Sequence, residues 1–349
     1  MRAETIAMCI VATLIGAATL SCTRYEDMPE RHREAITGDR PLELAATDAS
    51  ANGGAKTRAG EDPAPEYDPL DERYVIFTSA YYTDSEFPAD DGDYFVGAVF
   101  SHNDEDKWSA TPRQYWPMAG HLSFLALATD PASYGLSPEE TGNMMTWTAR
   151  RATDGVRMKI TGYDGSSEIM YATAEADAGD AGAVSMLFHH TQACLEFNIK
   201  MTDASLNGLL RLEGIDVDAI MTDGVLTVMT YPFAEMSWDT EASESRDISV
   251  PGSQGDNDNP LEITDEGITF RLPLLPQRQR LFHIHFRQRA NTSSDWKTTS
   301  VVMTYDHEET NKSWEIGKKY VYNITLGLNT LDFEPNVVAW DISDVEATL

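Results

Sequence analysis

The sequence predicts an all-β protein of antiparallel sandwiches, and three observations carry that expectation. From about Arg73 onward, short runs of alternating apolar and polar residues recur; Gly, Pro, Asp and Asn separate them; no long amphipathic helical period interrupts them. At 349 residues the chain is long for one core, so two packed units are expected after trimming.

The chain opens MRAETIAMCIVATLIGAATLSC. Arg2 precedes an apolar run from Ile6 to Leu20, which has the length of a signal-peptide core and is too short to span a membrane. The run stops at Thr19-Leu20-Ser21-Cys22, a small residue before a cysteine. Lipoprotein signal peptidase would cut there, making residues 1–21 a leader and Cys22 the acylated first residue. Ordinary signal cleavage with Cys22 incidental is the alternative.

Residues 22–58 are polar and end in AATDASANGGAKTR, the composition of a tether or pro-segment. One short apolar piece, Pro41 to Ala45, is fit to lie along a sheet. The segment closes with Lys56 and Arg58 set among Gly, Ala and Thr, followed by the acidic GEDP. Such a stretch is either an untouched linker or a place where a protease binds extended backbone and cuts between Arg58 and Ala59.

The strand-like runs follow in order: RYVIFTSAYY, DYFVGAVF, HLSFLALA, RMKITGY and EIMYATA, then LEFNIKM, GVLTVMTY, GITFRLPLL, RLFHIHFRQ, TSVVMTY and KYVYNITLGL. Between the two groups lies EADAGDAGA, residues 175–183, the most linker-like break. It divides the body into an N-terminal sandwich, 59–182, and a C-terminal one, 183–349.

Charge narrows the function. The formal net charge is −31, and residues 1–58 hold nearly equal numbers of basic and acidic side chains, so the acidity belongs to the folded body. A field of that sign repels phosphate backbones and anionic lipid, which excludes nucleic-acid binding and leaves a lipid anchor as the only membrane contact. With Cys9 in the leader and Cys22 acylated, Cys194 has no partner for a disulfide or a cysteine zinc site, and the alternation of ACLEFNIKM makes it a core neighbour.

No catalytic signature emerges: there is no Gly-rich phosphate loop, no H-E-x-x-H helix and no G-x-S-x-G elbow. His283 and His285 share one strand face, as a metal pair would, but Phe282, Ile284 and Phe286 take the other face, so the histidines simply point outward. His189 and His190 point to opposite faces. The acidic loops 84–95 and 252–260 resemble calcium-binding turns without EF-hand spacing. In WSATPRQYWPMAGHLSF, Trp108, Tyr115 and Trp116 form either an aromatic corner closing the core or a stacking platform for sugars; Leu122, Phe124, Ala126 and Ala128 then line one face of a strand. No metal, cofactor or catalytic residue is expected.

The ordered set formed by the YWP stretch from Trp108 to Phe124, VSMLFHHTQACLEFNIK (184–200), LPLLPQ (272–277) and GKKYVYNITLGLNTLDFEPNVVAW (317–340) resembles the fimbrillin family of Bacteroidetes surface lipoproteins, subunits of type V pili. The resemblance implies two transthyretin-like β-sandwich domains, export to the outer membrane as a lipid-anchored precursor, and removal of a pro-segment by an arginine-specific surface protease. Polymerisation with other fimbrillin subunits by strand exchange into a surface fimbrium follows, with adhesion to a host surface protein or glycan. Arg58 matches the processing site.

In VVAWDIS, Val338, Trp340 and Ile342 alternate onto one face and could fill a neighbour's groove, or form a last strand of their own domain. The rival reading from another class is a tethered outer-membrane glycan-binding lipoprotein.

Overall fold

The computed structural model describes residues 40–49, 68–83, 92–103, 107–148, 155–180, 182–229, 235–240, 245–254, 260–303, 312–327 and 331–340. Strand dominates them. The helical elements are single 3₁₀ turns at Pro131–Tyr134 and Ala204–Leu206 and a short α-helix, Pro138–Gly142, closed at its start by a capping box between Ser137 and Glu140. Among the described residues no helix is long and apolar enough to cross a membrane. The fold is therefore all-β, as the period-2 patterning predicts.

Every strand-like run read from the sequence is a strand here. Seven strands form a ring: Val184–His190, Ile169–Asp177, His121–Thr129, Val75–Thr83, Gly92–His102, Trp108–Ala110, Glu43–Asp48, and back to Val184–His190. Alternate side chains fill the interior, where Leu44, Phe95, Phe100, Trp108, Trp116, Phe124, Met186 and Phe188 form one buried cluster. Closing the ring removes the unpaired edges that an open sheet leaves to solvent. The strand after position 182 belongs to this ring, ending at His190, and the next strand begins at Ala193.

A second sheet, ordered Glu235–Asp239, Gly224–Met229, Gly155–Ile160 and Met145–Thr148, covers the outer face of the ring. That cover explains why Leu125 and Leu127 are as buried as Phe124 and Ala126: the His121–Thr129 strand has apolar neighbours on both sides. The Gly224–Asp239 hairpin comes from the later part of the chain and pairs with Gly155–Ile160, so the two parts interlock.

The remaining strands make a sandwich over a separate core. One sheet runs Ile268–Leu274, Ala193–Met201, Lys318–Leu326, Leu331–Ala339; the other runs Ser245–Ser249, Leu210–Met221, Phe282–Gln288, Lys297–Met303. Phe197, Phe282 and Tyr322 meet at its centre with ring centroids 5.0 to 5.3 Å apart. The Leu210–Met221 strand escapes period-2 reading because its register shifts between Leu212 and Gly214 and again between Val217 and Ile220. Each shift moves the buried side of the strand by one residue, breaking the alternation.

Two pairings depart from the expected antiparallel pattern: Glu43–Asp48 runs parallel to Val184–His190, and Ala193–Met201 runs parallel to Lys318–Leu326. Parallel neighbours need long crossover connections, and both pairs join distant parts of the chain. Cys194 is fully buried and free, and burial pushes its thiol pKa far up, which makes it inert packing.

The aromatic triple predicts the cost of core truncation. Phe197→Ala should destabilise the protein by about 3–5 kcal/mol, whereas Val302→Ala on an exposed edge strand should stay within about 0.5 kcal/mol. Urea unfolding midpoints of the two variants check both values.

Candidate functional site

The ring depends on a short strand from the polar N-terminal segment. The apolar piece expected along a sheet does lie there, as the strand Glu43–Asp48. Leu42, Leu44 and Ala46 face inward and are buried, while Glu43, Ala45 and Thr47 face outward. One edge pairs in parallel with Val184–Phe188, from Leu44 opposite Val184 to Asp48 opposite Phe188. The other edge is shared between two short antiparallel partners, Trp108–Ser109 at its start and Asp68–Pro69 at its end.

Contacts at both ends pin the strand. At its start, the Arg40 guanidinium lies 4.7 Å from the Trp116 ring centre and donates to the carbonyls of Ala178, at 2.6 Å, and Asp180. The Trp116 amide donates to the Arg40 carbonyl at 3.0 Å, and the Leu42 amide to the Gln114 carbonyl at 2.9 Å. Lys107 holds Glu43 at 3.0 Å. Beyond the far end, the Ala49 amide donates to the Phe188 carbonyl at 2.9 Å, and the Leu70 amide donates to Ala46 at 3.0 Å.

The Val184–His190 strand has unequal sides. Its pairing with Ile169–Asp177 covers His189 and His190 alone, so residues 184–188 take their described ladder partners from Glu43–Asp48. Withdrawing the short strand would leave a row of unpaired amides and carbonyls above an apolar trough.

The C-terminal strand Leu331–Ala339 lies at the edge of its sheet, paired on one side with Lys318–Leu326. Val337 is 53% and Val338 39% exposed, yet Trp340 is only 3% exposed. Val338 and Trp340 thus do not share one environment, because the strand ends at Ala339. The Trp340 amide donates to the Gly317 carbonyl at 2.8 Å, and its ring stacks on His190 at 3.8 Å and 16°. His190 Nε2 lies 3.3 Å from Glu168, which accepts from the Tyr74 hydroxyl at 3.1 Å. Burial pushes the Glu168 pKa up, but His190, Tyr74 and Arg271 outweigh it and hold the carboxyl below its ordinary 4.5.

Of the residues singled out in the sequence, Cys22, Arg58, Ala59 and Ile342 lie outside the described residues. The acidic loops fall partly outside them as well. Trp108 and Trp116 are buried inside the ring, so they close the core as a corner does and present no sugar platform; Tyr115 is the exposed ring of that stretch. His283 and His285 point outward and each meets its own carboxylate, Asp218 at 2.9 Å and Asp216 at 3.1 Å. Among the described residues no group of three or more His, Cys, Asp or Glu is placed to hold a metal ion.

The fimbrillin-like family profile matches residues 71–340. The chain belongs to the fimbrillin-like family. This fimbrillin-like chain is a non-enzymatic, structural protein of fimbriae. Solved structures similar to it include three fimbrial proteins. A fimbrial protein from Bacteroides vulgatus is 13% identical with a TM-score of 0.47, over 85% of this chain and 99% of that one. A fimbrial assembly protein from Parabacteroides distasonis is 10% identical with a TM-score of 0.38, over 86% and 98%. The tip fimbrial protein Mfa3 from Porphyromonas gingivalis is 7% identical with a TM-score of 0.34, over 86% and 99%. No curated protein matches the chain in sequence.

The Glu168 pair carries a pH signature. Because its native pKa is depressed, its contribution to stability is complete above the unfolded value and is lost as pH falls through the native one. Glu168→Gln should therefore lower the urea midpoint at about pH 7 and flatten its decline between about pH 5 and pH 3, measured against the wild type.

Proposed function

We propose that this fimbrillin-like chain is exported as a lipoprotein anchored through Cys22, is cut between Arg58 and Ala59 by an arginine-specific surface protease, and polymerises by strand exchange into a surface fimbrium that serves adhesion. The observation that carries the reading is the place of Glu43–Asp48: a buried strand of the ring that lies on the N-terminal side of Arg58. After the leader, 1–21, and the tether, 22–58, the reading divides the body into sandwiches 59–182 and 183–349. The first is completed by two strands from outside its span, Glu43–Asp48 and Val184–His190.

Magnitudes favour exchange over permanent retention. Burying Leu42 and Leu44 is worth about 2 kcal/mol each, which by itself would hold a free peptide at about millimolar affinity. While the tether is intact the strand is intramolecular, and its effective concentration keeps it seated. Cutting the tether removes that advantage, and a neighbour's strand with a better apolar face displaces it.

The vacated trough, lined by Phe100, Trp108 and Phe188, suits an alternating strand. The C-terminal strand of a second copy, with Val338, Trp340 and Ile342, is the proposed occupant. The partners are therefore other fimbrillin subunits and the protease, with a host surface protein or glycan as the adhesion target.

Arg58→Ala tests the processing step. Since Arg58 is set in a polar stretch of Gly, Ala and Thr with no strand period, the variant should fold with a stability change within about 0.5 kcal/mol while remaining uncut and absent from polymers. Polymers of normal length from that variant would overturn the reading.

A further inference from the structure

The stack of Trp340 on His190 joins two elements that strand exchange would use separately. His190 ends the strand whose first five residues are laddered to Glu43–Asp48, and Trp340 ends the exposed strand Leu331–Ala339. We propose that Trp340 is a latch: while the pro-segment strand occupies the ring, the Trp340 stack holds the C-terminal strand down, and loss of the former loosens the latter for a second copy of this chain. The proposal rests on the strand-exchange reading for its purpose but not for its mechanism.

Two routes connect the pro-segment strand to the latch. The first runs through the Val184–His190 strand: residues 184–188 have Glu43–Asp48 as their described ladder partner, and the Ala49 amide bonds Phe188, two residues before His190. The second runs through the segment after the tether. Asp68 and Pro69 pair with Asp48 and Thr47, the Leu70 amide bonds Ala46, and Tyr74 then donates to Glu168, which holds His190. The pro-segment strand therefore supports the His190 ring along its own strand and, through Glu168, across the buried polar contact.

On the other side of the stack, the described ladder holds the tip of the C-terminal strand along one edge. Pro335 to Ala339 are all exposed, and their described ladder runs to Lys318–Leu326 alone. Trp340 is the buried anchor at that end, with its amide on Gly317 as the second tie. An edge strand exposed along its tip, laddered on one side and anchored at its end by one ring and one amide, opens at lower cost once that ring is freed.

Hydrogen exchange of the intact, uncut chain tests the latch without any polymerisation. Trp340→Ala removes the ring, and Leu44→Ala weakens the pro-segment strand that pairs with Val184–Phe188. Amides of 331–339 should exchange about tenfold faster in both variants, while those of 193–201 keep wild-type protection. Trp340→Phe, which keeps an aromatic stack, should recover most of the protection. Wild-type protection of 331–339 in Leu44→Ala would overturn the coupling, and wild-type protection in Trp340→Ala would overturn the latch itself. If both variants free the strand and yet cut subunits do not polymerise, the latch stands and the strand-exchange reading falls.

Discussion

Everything in the N-terminal half depends on one parallel ladder, Leu44–Asp48 against Val184–Phe188. Without it the ring becomes an open sheet, edged by Val184–His190 on one side and by the three-residue strand Trp108–Ala110 on the other. Such edges are hazardous to expose, and the short strand covers them. Leu42 and the covering strand's Leu44 and Ala46 are its buried residues in the ring's core, so its hold also draws on clamps such as Arg40 over Trp116. This combination, essential for closure and modest in buried apolar area, is what the proposed strand exchange requires.

The opposite face of the ring is built for permanence. The sheet containing Gly155–Ile160 and Gly224–Met229 covers it with Val156, Met158, Leu226 and Val228, and pairs strands from both parts of the chain. The junction is closed by a buried amide: Gln192 accepts from the Ile169 amide at 2.8 Å and donates to the Tyr163 hydroxyl at 2.8 Å. Gly165, at φ 81°, packs there so closely that a Cβ would come within 2.2 Å of Leu272. The molecule thus has one side that locks its two parts together and another that is closed by the short strand Glu43–Asp48.

Most of the fold was legible because a half-buried strand writes its burial into alternate residues: Leu195, Phe197 and Ile199, or Phe282, Ile284 and Phe286, read directly. The Leu210–Met221 strand was not, since two register shifts scramble its alternation. The site was half legible. The Arg58 setting and the apolar piece near Leu44 could be seen, but the parallel partner at Val184 could not, because period-2 patterning shows which face is buried and says nothing of which strand lies alongside. The Trp340 stack was invisible for the same reason: the alternation of Val338 and Trp340 places them on one face, and only the end of the strand at Ala339 sends the indole to His190.

The proposed strand exchange requires the Glu43–Asp48 strand to leave the subunit before assembly. Intact mass and N-terminal sequencing of fibres sheared from the cell surface, compared with the membrane-bound protein, tests it most directly. The account predicts subunits that begin at Ala59 in the fibres, with no peptide containing residues 40–49 retained, and an acylated Cys22 start in the membrane. Fibres whose subunits keep residues 40–49, attached or as a bound fragment, would contradict it.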